Sequence, residues 1–230
     1  MSLHEDLEAN RIDAIVSAIH GSIGGLPIIG NAATALIVGH IKNQRIDRLA
    51  EYVRIHEDKL AKLDFDKLEV LCKNPGFLDL SEDGYISALT ANTEERKQYI
   101  SSIVFNGIDE NTISYLESRL LLSILKELND IEIIWLRYFL YPGKDDDFEF
   151  REKHKSILER VLVSTISDDD EKVRASIQNR YKEHLSQLNL IYPHAVGSAV
   201  GNLVIQNEGQ SLKNYRITAL GKRLLKQIGL

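Results

Sequence analysis

Hydrophobic positions recur at helical spacing along most of this chain. Over residues 5–20, Leu7, Ile12, Ile15 and Ile19 mark one face, and Glu5, Asp6 and Glu8 crowd the first turn, where the helix dipole favours acids. Gly21, Gly24, Gly25 and Pro27 interrupt that pattern, and a second helix begins near Gly30 or Asn31 and runs to about Leu63. Its stripe is Ile41, Ile46, Leu49, Val53 and Leu60. A short helix follows a break at Asp64 and Asp66, and Asn74-Pro75-Gly76 reads as the turn that closes it. Ser81 and Thr93 then read as N-caps of two more helices, the second closed by Asn106-Gly107. No stretch before residue 160 alternates as a strand does.

After Ser114 the apolar faces broaden. Residues 115–128 and 131–141 read as helices, with Asp130 as the cap between them and Ile133, Ile134, Trp135 and Leu136 as core. The run Phe150–Leu162 is again helical, and Ser167 to Asp170 reads as a polar break and cap. The next helix, residues 168–188, places Val173, Ile177, Tyr181, Leu185 and Leu188 on one expected apolar side. Then the period shortens. Leu188 to Tyr192 and Asn214 to Thr218 read as two strands, separated by a Gly-, Asn- and Ser-rich stretch, and Ala219 to Ile228 closes the chain as a helix. Thr218 is suited to cap that helix, and Gly221 to let it approach the strands.

The order HLSQLNLIY, polar loop, NYRIT, ALGKRLLKQI resembles the end of winged-helix regulators, in which a hairpin loop forms the wing. That resemblance covers about residues 115–230. It implies a mostly α protein: an N-terminal helical domain over 1–113, then a winged-helix-like α+β domain with a small β-hairpin over 114–230. The whole chain also resembles an uncharacterised family of bacterial helical proteins. Gly24 to Gly30, Gln44 to Leu49, Leu128 to Glu132 and Ile217 to Leu225 carry that likeness. It implies a bacterial origin and no particular chemistry.

Charge restricts the partners. The chain carries 28 Lys and Arg against 34 Asp and Glu, net −6. Residues 1–114 hold 11 and 18 of these (net −7), and residues 115–230 hold 17 and 16 (net +1). A polyanion is therefore approachable only through a local patch in the second half. The helix in the place of a recognition helix offers Lys172, Arg174, Gln178, Arg180 and Lys182, and the wing offers Lys213. That helix opens on Asp168-Asp169-Asp170-Glu171, which repels phosphate.

Ala14 to Ile41 contains no Lys, Arg, Asp or Glu, long enough to span a bilayer. Its five glycines and one proline would leave backbone groups unsatisfied in lipid, so a buried hairpin is expected there. Ile23, Leu26, Ile28 and Ile29 are its candidate partner- or membrane-contacting residues. The single cysteine, Cys72, reads as a buried small hydrophobe, and the seven histidines are scattered without ligand spacing. The cluster GSIGG lacks the Gly-Lys-Ser/Thr of a phosphate loop, and no Gly-x-Ser-x-Gly elbow occurs. No catalytic residue, metal, cofactor or small-molecule ligand is indicated. Three functions remain: a non-enzymatic cytoplasmic binding or regulatory protein acting through protein contacts or self-association, a winged-helix DNA-binding regulator, and a membrane-active effector using residues 14–41.

Overall fold

The computed structural model describes residues 32–108, 112–140, 147–159, 161, 167–194 and 214–230. The described residues are mostly helical, with one two-stranded antiparallel hairpin near the C-terminus. The chain divides into two compact units, Met1–Lys126 and Glu127–Leu230. The change of texture at residue 114 had placed the division earlier. The helix that follows residue 111 falls within the first unit, where Tyr115 lies beside Gly76, Ser118 beside Gly107, and Arg119 pairs with Asp83 at 2.7 Å.

The first unit contains α1 (Ala32–Leu60), α2 (Phe65–Cys72), α3 (Pro75–Ala88), α4 (Glu94–Asn106) and α5 (Thr112–Glu127). α1 packs along α4 and α3, and α2 packs on α3. The start of α3 corrects the sequence reading. Asn74 does not close α2 but caps α3, its Oδ1 accepting from Gly76 N (2.9 Å) and Phe77 N (3.3 Å). Pro75 occupies the first helical position, where its missing N–H costs nothing. Ser81 therefore lies inside α3 rather than at its cap. Thr93 caps α4 as expected, accepting from Arg96 N at 3.2 Å. Cys72 is exposed rather than buried, since the inward position of the last turn of α2 is taken by Leu71.

The second unit contains α6 (Asp130–Tyr138), α7 (Phe148–Lys153), α8 (Lys155–Leu158), α9 (Asp169–Gln187), β1 (Ile191–His194), β2 (Asn214–Ile217) and α10 (Ala219–Ile228). α6 is the central element, packed against α8, α9 and α10. Its cap is Asn129, one residue earlier than expected. Asn129 Oδ1 accepts from Glu132 N (2.9 Å), and Glu132 Oε2 accepts from Asn129 N (2.8 Å), a reciprocal capping box. The expected single helix over 150–162 is instead two short pieces that break at His154.

α9 ends at Gln187; Asn189, just past its C-cap Leu188, has a left-handed φ of 56°, and Leu190 N donates back to Leu185 O at 2.9 Å. That closure turns the chain into β1. β1 pairs with β2 in the register Ile191 to Ile217 and His194 to Asn214. Thr218 then ties three elements together: its Oγ1 accepts from Gly221 N (3.0 Å) as the cap of α10 and donates to Asn189 O (2.7 Å). A Cβ on Gly221 would lie 2.4 Å from Leu190 O, so only glycine lets α10 seat against the start of β1.

Candidate interaction site

α9 is the element that carries the sequence-predicted contact residues. Asp168 caps it, Oδ1 accepting from Glu171 N at 2.7 Å, and Asp169, Asp170 and Glu171 fill the first turn. Ala175, Gln178, Lys182 and Leu185, spaced 3-4-3, form the strip turned toward the rest of the unit; Ala175 and Leu185 are buried. The Gln178 amide clamps the segment after α8. Its Nε2 donates to Ile157 O (3.2 Å) and Glu159 O (2.8 Å), and its Oε1 accepts from Val161 N (3.4 Å). The Lys182 ammonium stands 4.5 Å from the centre of the Trp135 ring. His184 Nδ1 meets the buried Glu132 Oε1 at 2.7 Å, so the α6 capping acid is also held by α9.

The six predicted nucleic-acid residues therefore separate. Gln178 and Lys182 are engaged inside the unit. Lys172 pairs with Asp169 at 3.2 Å, on the exposed side. Arg174 and Arg180 are exposed. Lys213 lies outside the described residues, as do Ile23, Leu26, Ile28 and Ile29.

The outward face of α9 holds two of the five residues expected on its apolar side, whereas Leu185 of that set is buried. Val173 is 55% exposed and Ile177 46%. The expected single stripe therefore splits: Val173 and Ile177 share the outer side, and Leu185 joins Ala175 on the inward one. Asp170 and Arg180 flank the apolar pair, giving a second 3-4-3 strip of Asp170, Val173, Ile177 and Arg180. Asp170 and Arg180 are both exposed, and neither pairs with another described residue.

The first unit has a polar seam that no sequence pattern announced. His56 is buried between α1 and α4, stacked on Tyr52 (centroids 5.6 Å, planes 9° apart). Its Nδ1 lies 3.1 Å from Ser101 Oγ, while its Nε2 and the Tyr52 hydroxyl are buried without a hydrogen-bond partner. Burial, with Lys59 adding repulsion, pushes the His56 imidazole down to about 4. Lys59 Nζ donates to Ser102 Oγ (2.7 Å) and Gln98 O (3.3 Å), and the buried Lys97 ammonium pairs with Glu51. The Ser101–His56 contact has the residue types of a nucleophile and base. Ser101 is fully buried and His56 is 2% exposed, so no substrate reaches them.

Among the described residues, no group of three His, Cys, Asp or Glu is placed to hold a metal ion, and no helix is long and apolar enough to cross a membrane. The chain matches no protein-family model, no curated protein and no solved structure.

Proposed function

We propose that this is a non-enzymatic binding or regulatory protein that works through protein contacts made by the outer face of α9. One observation carries the reading: Val173 and Ile177 stand exposed one turn apart on the outer face, while Gln178 and Lys182, two of the five described side chains suited to bases and phosphates, point back into the unit. A helix that reads DNA needs the reverse arrangement. The four acids at its leading end further disfavour phosphate.

A second reading, a winged-helix DNA-binding regulator, draws support from the order α9, β1, β2, α10 and from exposed Lys172, Arg174 and Arg180. The two readings separate by placing a photo-cross-linking amino acid at position 177 of the full chain in its own cells. The proposed function expects a covalent adduct with protein. Adducts with DNA, together with retardation of genomic fragments that vanishes as salt rises, would overturn it in favour of the second reading.

A further inference from the structure

The outer strip of α9 is self-complementary. Asp170, Val173, Ile177 and Arg180 follow the 3-4-3 spacing of the seam positions in a coiled coil, and all four are exposed. The acid and the base sit ten residues, about 15 Å, apart along the axis, with the apolar pair centred between them. Consider two copies related by a two-fold axis that crosses the outer face at the height of residue 175, perpendicular to both helices. Residues whose numbers sum to 350 then face each other across the seam. Val173 of one copy meets Ile177 of the other, twice, and Asp170 meets Arg180, twice.

The lateral offsets agree as well as the axial ones. At 100° per residue, Asp170 and Ile177 lie on one side of the strip's midline, Val173 and Arg180 on the other. The two-fold reverses the axial coordinate and keeps the lateral one, so each residue meets its complement at the same height from the opposite side of the midline, as residues of one layer do in a coiled coil. Parallel pairing would instead set Asp170 against Asp170 and Arg180 against Arg180. The antiparallel arrangement also opposes the two helix dipoles. We infer that α9 is a homotypic docking surface, and that its occupant is a second copy of this chain, bound antiparallel with Val173 against Ile177 and Asp170 against Arg180.

This inference rests on the reading of the outer face of α9 as a protein-contact surface and names its partner. An isologous contact of this kind closes on itself as a dimer. Four apolar side chains with two exposed ion pairs bury less than a standard interface, so the dimer is weaker than about 1 μM and loosens with salt. It also covers Arg180, which makes self-pairing and any use of that face toward DNA mutually exclusive.

The test is sedimentation equilibrium of the full chain and its charge variants. Wild type is expected to dimerise at high micromolar concentration. Asp170→Arg sets two arginines together at each end of the seam, Arg180→Asp sets two aspartates, and each is expected to weaken dimerisation at least about tenfold. The double variant Asp170→Arg/Arg180→Asp restores the pairing with reversed sign and is expected to recover it. A wild type that stays monomeric into the millimolar range, or a double variant no better than the singles, overturns the inference. The cross-link at position 177 keeps the two levels apart. A monomeric chain cross-linked to a different protein removes the self-partner and leaves the surface; a monomeric chain with no protein adduct removes both.

Discussion

α1 with α4 in the first unit and α9 in the second invert each other. The first pair buries what a surface normally holds: His56, Lys97 and Ser101 lie between two helices, with Tyr52 stacked beside them. α9 exposes what a core normally holds, Val173 and Ile177, and turns the amide of Gln178 and the stem of Lys182 inward. The difference lies in what each helix meets. A polar side chain is tolerated inside when at least one partner is at hand, as Ser101 is for His56 Nδ1 and Glu51 for Lys97, even with His56 Nε2 left unpaired. An apolar side chain stays outside when no neighbouring element reaches its face. At these few positions, burial follows the geometry of available partners rather than hydrophobicity.

One tight glycine contact in each unit offers the sharpest way to break that comparison. Both depend on a glycine, but the neighbours differ. A Cβ on Gly84 would meet the Tyr52 hydroxyl (2.7 Å) and Val104 Cγ2 (2.8 Å), both side-chain atoms that can shift. A Cβ on Gly221 would meet the backbone carbonyl of Leu190 at 2.4 Å, which is pinned by Thr218 N at 2.9 Å. Alanine adds up to about 1 kcal/mol of helix propensity at either site. Gly221→Ala is nonetheless expected to cost at least about 3 kcal/mol net, and Gly84→Ala roughly 1–2 kcal/mol. Trp135 is the single tryptophan and lies in the second unit, so its fluorescence in a denaturant titration reads the first of these directly. Equal losses would mean that the polar seam of α1 is as rigid as the hairpin junction.

Acid tests the seam itself. A free imidazole titrates near 6.5, whereas His56 is held at about 4, chiefly by burial. Between those values the unfolded chain binds a proton that the folded chain refuses. Stability contributed by neutral His56 is therefore full above pH 6.5, falls as pH drops toward 4, and levels off below that. The total is at most about 3 kcal/mol. Urea midpoints followed by circular dichroism across pH 7 to 4 should show this slope, and His56→Gln should flatten it. An unchanged slope in that variant would place the acid sensitivity elsewhere.

These features differ in how much the sequence discloses. Caps are local chemistry, so Thr93 and Thr218 were legible from residue type and spacing alone, as was the need for glycine at 221, and the cap Asp168 was located to the run Ser167 to Asp170. Most of the described helices and the two strands were legible for the same reason, period being a property of the strand or helix itself, but the break at His154 was not. Asn74-Pro75 misled because a turn signal and a helix start share the same residues. The His56 seam was invisible, since Ser101 is 45 positions away and a lone histidine has no spacing to read. The face of α9 was half visible. Periodicity grouped Val173 with Ile177, but which side of a helix meets the core is decided by other elements, here α6 and β1.

The smallest expected effect on stability bears most directly on the comparison. If Val173 and Ile177 are solvent-facing in the isolated chain, shortening both to serine removes little buried surface. Val173→Ser/Ile177→Ser is then expected to shift unfolding by no more than about 0.5 kcal/mol. The same double variant strips the apolar centre from the strip and should abolish self-association in sedimentation. A core pair behaves oppositely, losing several kcal/mol on such truncation. A loss above about 2 kcal/mol in dilute, monomeric protein would mean that these side chains pack within their own unit, and the inversion between α1 and α9 would collapse. Preserved stability with lost pairing is the outcome that only an exposed contact surface produces, because there the free energy of the two side chains is realised in the complex and not in the fold.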